Sequence, residues 1–172
     1  MNANGFGVVI GIIVGLIICV IIFKICNRDG RVKQQFDERQ EAIRGKGYRY
    51  AFYASMIYYA LLMVLEIGEV SIPVVTPVLV FGGIVAGMIT LGLYTIFKNA
   101  YWANNNNQKK YLISMIIIII INILGGIGPA FSGRLVIDGV LQINAINLIC
   151  AVMLIILIAA LCIKTYLVKE EE

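Results

Sequence analysis

Uncharged apolar runs close to the length of a membrane-spanning helix recur along these 172 residues, and no other feature restricts the fold more. A bilayer core about 30 Å thick is crossed by roughly 20 apolar residues in helix. In lipid, a helix satisfies its own backbone groups, which an open strand or loop does not. The runs predict five spans, at about residues 6–26, 48–67, 73–97, 111–127 and 145–166. The chain is 60% hydrophobic and 14% charged, where a soluble domain carries about 25% charged residues. The apolar excess therefore has to face lipid. Residues 1–7 hold no Lys or Arg, and the apolar run Phe6 to Phe23 is longer than the core of a secretory signal. The first run is expected as a retained helix.

One long charged stretch interrupts the apolar sequence, from Lys24 to Arg49. It holds Lys24, Arg28, Arg31, Lys33, Arg39, Arg44, Lys46 and Arg49. Val32, Phe36 and Ile43 form a sparse helical stripe within it, so an amphipathic segment over 28–46 is expected to lie at the membrane surface. Its helix is expected from about Gly30 to Arg44, with Gly45 and Gly47 bending the chain into the second span. In a five-span layout thirteen of the 14 basic residues fall on one side, and Arg134 alone on the other. Basic residues near span ends mark the cytoplasmic side. The N-terminus is then outside and the C-terminus, with its tail Lys169 to Glu172, in the cytoplasm.

Small residues four apart on a helix let a second helix approach closely, and Gly7, Gly11 and Gly15 in the first span and Gly83 and Gly87 in the third fit that pattern. A plain anchor helix accounts for the first set equally well. Tyr58, Tyr59 and Asn122 are polar groups expected at membrane depth. Each needs a hydrogen-bond partner, either across to a neighbouring helix or in a polar cavity. Gly125, Gly126, Gly128 and Pro129 are expected to end the fourth span. Asp138-Gly139 between short apolar runs predicts a β-hairpin over 134–143, and Asn144 is placed to cap the fifth span.

The expected architecture is an all-α integral membrane protein in a single membrane domain over residues 1–172. It is a bundle of about five transmembrane helices, with a cytoplasmic interfacial helix after the first span and a small extracytoplasmic β-hairpin. Several function classes recede on composition. There is no histidine, no phosphate-binding glycine loop and no CxxC pair. The cysteines Cys19, Cys26, Cys150 and Cys162 lie in or at the end of expected spans. No catalytic residue, metal or cofactor is expected. The basic residues crowd span ends, which argues for topology and against nucleic acid.

Three stretches, FDERQEAIRGKGYRYAF (residues 36–52), LYTIFKNAYW (93–102) and DGVLQINAINLI (138–149), resemble a group of small multi-span membrane proteins found mainly in Gram-positive bacteria. The resemblance covers roughly residues 36–168, and the DERQ…RGKG segment is its most specific part. It implies about four spans in a bacterial cytoplasmic membrane, so the extra first helix here departs from the pattern. It brings no activity, substrate or catalytic residue with it.

Two functional readings follow. In one, the chain is a non-catalytic membrane partner, regulator or immunity-type protein. Asp37, Glu38, Arg39, Arg44 and Lys46 then face another membrane or cytoplasmic protein, a second copy of the chain, or the anionic lipid surface. Mixed charge there favours a specific pairing, with Asp37 and Glu38 expected to meet Lys98, Lys109, Lys110 or a partner. In the other, the chain is a small-solute transporter or a membrane subunit of a transport complex, with Tyr58, Tyr59, Thr90 and Asn122 lining a path. No inverted repeat is visible, which weakens the second reading.

Overall fold

The structure is a computed structural model that describes Val14, Ile17, Ile18, Val20 and Ile21, residues 35–104 and residues 107–170. Its contacts divide the chain into two units, Met1–Gln35 and Phe36–Glu172. In the first, the five described residues of the expected first span are helical. Gly7, Gly11 and Gly15 lie outside the described residues, as does the stretch 28–34 of the expected amphipathic segment.

The second unit is built from four helices and a hairpin. In chain order these are α1 (Glu38–Ile67), α2 (Thr76–Phe97), α3 (Gln108–Phe131), β1 (Val136–Ile137), β2 (Val140–Leu141) and α4 (Ala145–Glu170). All four helices are long and apolar enough to cross a membrane. The expected span count was five; among the described residues it is four, because the first expected span falls largely outside them. α1 packs on α2, α2 on α4, and α4 on α3, an order that departs from the sequence order. Gly92 meets Leu157, while Gly125 and Gly126 meet Asn147 and Leu148. α2 and α4 therefore run parallel, each antiparallel to its other neighbour. The small buried cluster of Ile96, Leu157 and Ala160 joins α2 to α4 and is covered by Leu93, Tyr101, Met115 and Leu161.

One end of the unit gathers the start of α1, residues 98–104, the start of α3 and the end of α4. It carries Arg39, Arg44, Lys46, Arg49, Lys98, Lys109, Lys110 and Lys164 and is called here the basic end. The opposite end carries the hairpin with Glu66, Glu69, Arg134 and Asp138.

α1 differs from the expectation at its start. No bend separates an interfacial helix from a span at Gly45 and Gly47; one 30-residue helix runs through both. Asp37 starts it with a capping box. Its carboxylate accepts from Gln40 N at 2.7 Å, and Gln40 Oε1 accepts from Asp37 N at 3.2 Å. This satisfies two backbone donors that a helix start otherwise leaves open. Gly47 is buried because α2 approaches there. A Cβ on it would stand 3.0 Å from Leu91 Cδ1 and 3.2 Å from the Tyr94 ring. Tertiary packing outweighs glycine's poor helix propensity at that point.

α3 also runs past its expected stop. Gly125, Gly126, Gly128 and Pro129 all lie inside the helix, which ends at Phe131. Pro129 cannot donate to Gly125 O and its ring crowds that carbonyl, yet the helix continues to Phe131. The true stop is Gly133, with φ +68°. Arg134 N donates to Pro129 O at 2.8 Å and Gly133 N to Ala130 O at 3.2 Å. That pair of bonds is the Schellman motif, which needs a left-handed residue just past the helix. α1 and α2 close in the same way, but with Glu69 (φ 52°) and Asn99 (φ 57°) in the left-handed position. Val70 N donates to Leu65 O at 2.9 Å, and Ala100 N to Thr95 O at 2.8 Å.

The expected hairpin is present. β1 and β2 pair antiparallel, with Val136 opposite Leu141 and Ile137 opposite Val140. Asp138 and Gly139 both have positive φ, 50° and 77°, as a tight two-residue hairpin turn demands. β2 also pairs with the chain entering α2: Leu141 N donates to Pro73 O at 2.8 Å, and Val75 N to Leu141 O at 3.0 Å. The hairpin thus pins the start of α2, a contact that local sequence does not announce. Asn144 immediately precedes α4 but does not cap it: its side-chain amide donates back to Arg134 O at 3.1 Å, while Ala145 N and Ile146 N donate to the backbone oxygens of Gln142 and Ile143.

Candidate functional site

The polar groups expected at membrane depth are used inside the protein. Tyr58 Oη donates to Leu79 O at 3.0 Å and Tyr59 Oη to Val80 O at 2.9 Å. Ser55 Oγ donates to Gly83 O at 2.8 Å. These three side chains of α1 lie on Gly82, Gly83 and Gly87 of α2, where an added methyl group would strike Tyr58, Tyr59 and Ser55 respectively. The glycines thus open α2's carbonyls to the α1 side chains. Each carbonyl already accepts one helical bond and offers its second lone pair. Asn122 behaves differently: its amide donates to Ile118 O of its own helix at 2.8 Å and crosses to no neighbour. Thr90 likewise bonds Ala86 O at 2.8 Å.

The residues expected to face a partner separate into two sets. Asp37 is committed to the helix cap, and Arg44 to packing. The Arg44 guanidinium lies 4.2 Å over the Phe36 ring. It donates to Ala100 O at 3.4 Å and to Tyr48 Oη at 3.2 Å. Glu38, Arg39 and Lys46 are exposed. Among the described residues, no ion pair joins Asp37 or Glu38 to Lys98, Lys109 or Lys110, the intramolecular branch of the expectation. The Asp37 carboxylate already has a partner in its own helix start.

Gln40 and Arg44 together hold the 98–103 loop. The Gln40 amide donates to Asn99 O at 3.4 Å and Trp102 O at 3.3 Å. Ala100 and Ala103 are buried, and their small side chains let the loop lie close to α1. Tyr101 and Trp102 pack edge to face, their ring centroids 4.8 Å apart, with Tyr111 6.0 Å beyond the indole. Burial pushes the Tyr101 phenol above its ordinary pKa, and the nearby Arg44 partly opposes this. The phenol stays protonated at neutral pH.

Below this loop lies a cavity of about 550 Å³. Trp102 and Tyr101 form one wall; Leu161, Lys164 and Thr165 of α4 form another, and Gln40 and Gln108 close its ends. An adjoining cleft of about 370 Å³ shares Trp102, Gln108, Leu161 and Thr165, and extends to Leu112, Cys162 and Tyr166. Among the described residues, the lining offers an ammonium group, amides, hydroxyls and aromatic faces, and no carboxylate. Among the described residues, no group of His, Cys, Asp and Glu is placed to hold a metal.

Of this site the sequence reading anticipated only Arg44, and in a different role. Gln40 carried a signal that was missed: Asp37 with Gln40 three residues on is the spacing of a capping box. Trp102, Gln108 and Lys164 had none, since only the fold brings α3's start and α4's end together. No family model matches the chain, and no curated protein or solved structure gives a significant match.

Proposed function

We propose that the chain is a multi-pass membrane protein, N-terminus outside and C-terminus cytoplasmic, that works without catalysis as a partner, regulator or immunity-type protein. Its docking site is the cavity at the basic end. The observation that carries this reading is the distribution of polar groups. Those at mid-depth are used up on helix carbonyls, while the open polar surface lies beside Trp102 and Lys164. A transporter needs the reverse, polar groups available at the midplane.

The cavity and its adjoining cleft match a short amphipathic protein segment: an apolar side chain against Trp102 and Leu161, and an acidic or carbonyl group toward Lys164. Aromatic anchors in such pockets carry much of the binding energy of an interface. Affinity purification of the intact chain from its native membrane, with mass spectrometry of what accompanies it, tests the reading. Trp102→Ala and Lys164→Glu are expected to lose the accompanying protein, and Tyr59→Phe to retain it. Loss with Tyr59→Phe and retention with both cavity variants would favour a solute path between the helices instead.

A further inference from the structure

A second cleft, of about 280 Å³, lies on the α1–α2 seam away from the Trp102 cavity and is lined by Lys46, Arg49, Tyr50, Tyr53 and Tyr94. We infer that it binds the phosphate headgroup of an anionic lipid. The inference deepens the membrane reading above and rests on it.

The first ground is uncompensated charge. Lys46 and Arg49 stand three residues apart on one helix face, where like charges repel. No acid occupies a position three or four residues from either: those places hold Ala42, Ile43, Gly45, Tyr50, Phe52 and Tyr53. Among the described residues neither cation has an ion pair. The second ground is unused donors. The Tyr50, Tyr53 and Tyr94 hydroxyls make no hydrogen bond among the described residues, in contrast to Tyr58 and Tyr59 one to two turns further on. The cleft thus converges two cations and three hydroxyls with no acceptor of their own. A phosphate group supplies acceptor oxygens and negative charge together.

The third ground is depth. Residues 50–65 of α1 carry no charged side chain, a rise of about 24 Å in helix. Lys46 and Arg49 therefore stand at the junction between charged and apolar helix, the level of headgroups. Below them on the same face, Tyr53, Ile57, Leu61 and Val64 follow at helical spacing and are all exposed. An acyl chain lies along that stripe while its phosphate sits above. This separates a lipid from a free phosphate, which gains nothing from the stripe. The site is held open by its own packing. The Tyr50 and Tyr94 rings meet edge to face at 5.0 Å, and Gly47 lets α2 approach beneath them.

The test uses the full chain in phosphatidylcholine nanodiscs, with and without phosphatidylglycerol. Retention of the chain in carbonate-washed membranes checks the membrane reading separately. The expected result is a thermal midpoint raised by phosphatidylglycerol and bound phosphatidylglycerol in native mass spectra. Lys46→Gln with Arg49→Gln is expected to weaken that binding about tenfold while melting like the wild type in phosphatidylcholine alone. Tyr50→Phe with Tyr94→Phe keeps the ring packing and is expected to weaken it about threefold. Arg39→Gln, an exposed cation outside the cleft, is expected to change nothing. An equal loss with Arg39→Gln would reduce the effect to general charge attraction and overturn the site. Full competition by inorganic phosphate or glycerol 3-phosphate would overturn the lipid as its ligand, as would binding that survives the double glutamine variant.

Discussion

The side-chain amide of Gln40 donates to the carbonyl of Trp102, 62 residues further along the chain, at 3.3 Å. The same side chain's oxygen accepts from Asp37 N. A single glutamine therefore both starts α1 and fastens the loop that walls the candidate docking cavity. Asp37→Ala is expected to cost about 1 kcal/mol, the usual worth of an N-cap, and Asp37→Asn much less. Gln40→Ala removes half the capping box and the loop tie together, so about 1–2 kcal/mol is expected. Unfolding in mixed micelles measures both. Asp37→Ala melting like the wild type would reduce the DERQ segment to a topology signal.

The tyrosine–glycine seam separates packing from hydrogen bonding. Tyr59→Phe removes one bond to Val80 O, and about 0.6 kcal/mol is the usual size of such a loss within a membrane. Gly83→Ala forces the Tyr59 ring off α2 and is expected to cost more, about 1–3 kcal/mol. The reverse order would mean that α1 and α2 are held by hydroxyls and not by close approach.

Two left-handed residues at helix ends respond in opposite directions. Glu69 holds φ 52°, at a strain of about 1 kcal/mol for a residue with a Cβ. Glu69→Gly relieves it but loosens the unfolded chain, leaving an expected gain of about 0.5 kcal/mol. Gly133→Ala introduces the same strain at φ 68° and is expected to lose about 1 kcal/mol. Equilibrium unfolding of the two variants side by side gives the signs directly.

Sidedness is checked with single cysteines on a background lacking the four native ones. Asn104→Cys at the basic end is expected to resist an impermeant thiol reagent in intact cells. Ser71→Cys, exposed near the hairpin end, is expected to react. Reaction at residue 104 alone would invert the orientation proposed here.

What could be read from the sequence was local. Asp138-Gly139 demanded two positive φ values, and few structures other than a tight hairpin accept them. Apolar runs longer than 15 residues likewise left little besides spanning helices, though their ends moved. Gly45 and Gly47 were read as a bend because glycine weakens an isolated helix, yet Gly47 is helical because Leu91 and Tyr94 lie against it. Gly125 and Gly126 were read as a stop, yet they make room for Asn147 and Leu148. In each case the deciding partner is many residues away, where no local pattern reaches. The cavity was hidden for the same reason, being assembled from α1's start, residues 98–104, the start of α3 and α4's end.

The order of packing also sets an order in time. Among the described residues, the helical partner of α3 is chiefly α4, and α4 follows α3 in the chain. α1 and α2 pair as soon as both have emerged, through their glycine seam. α3 then follows with no finished surface waiting for it. α3 is nonetheless long and apolar enough to cross a membrane by itself. The Trp102 cavity needs Leu161, Lys164 and Thr165 of α4, so it comes into being only once those residues have been made. A nascent chain stalled before residue 160 would hold every residue of the DERQ segment and still lack one wall of that cavity.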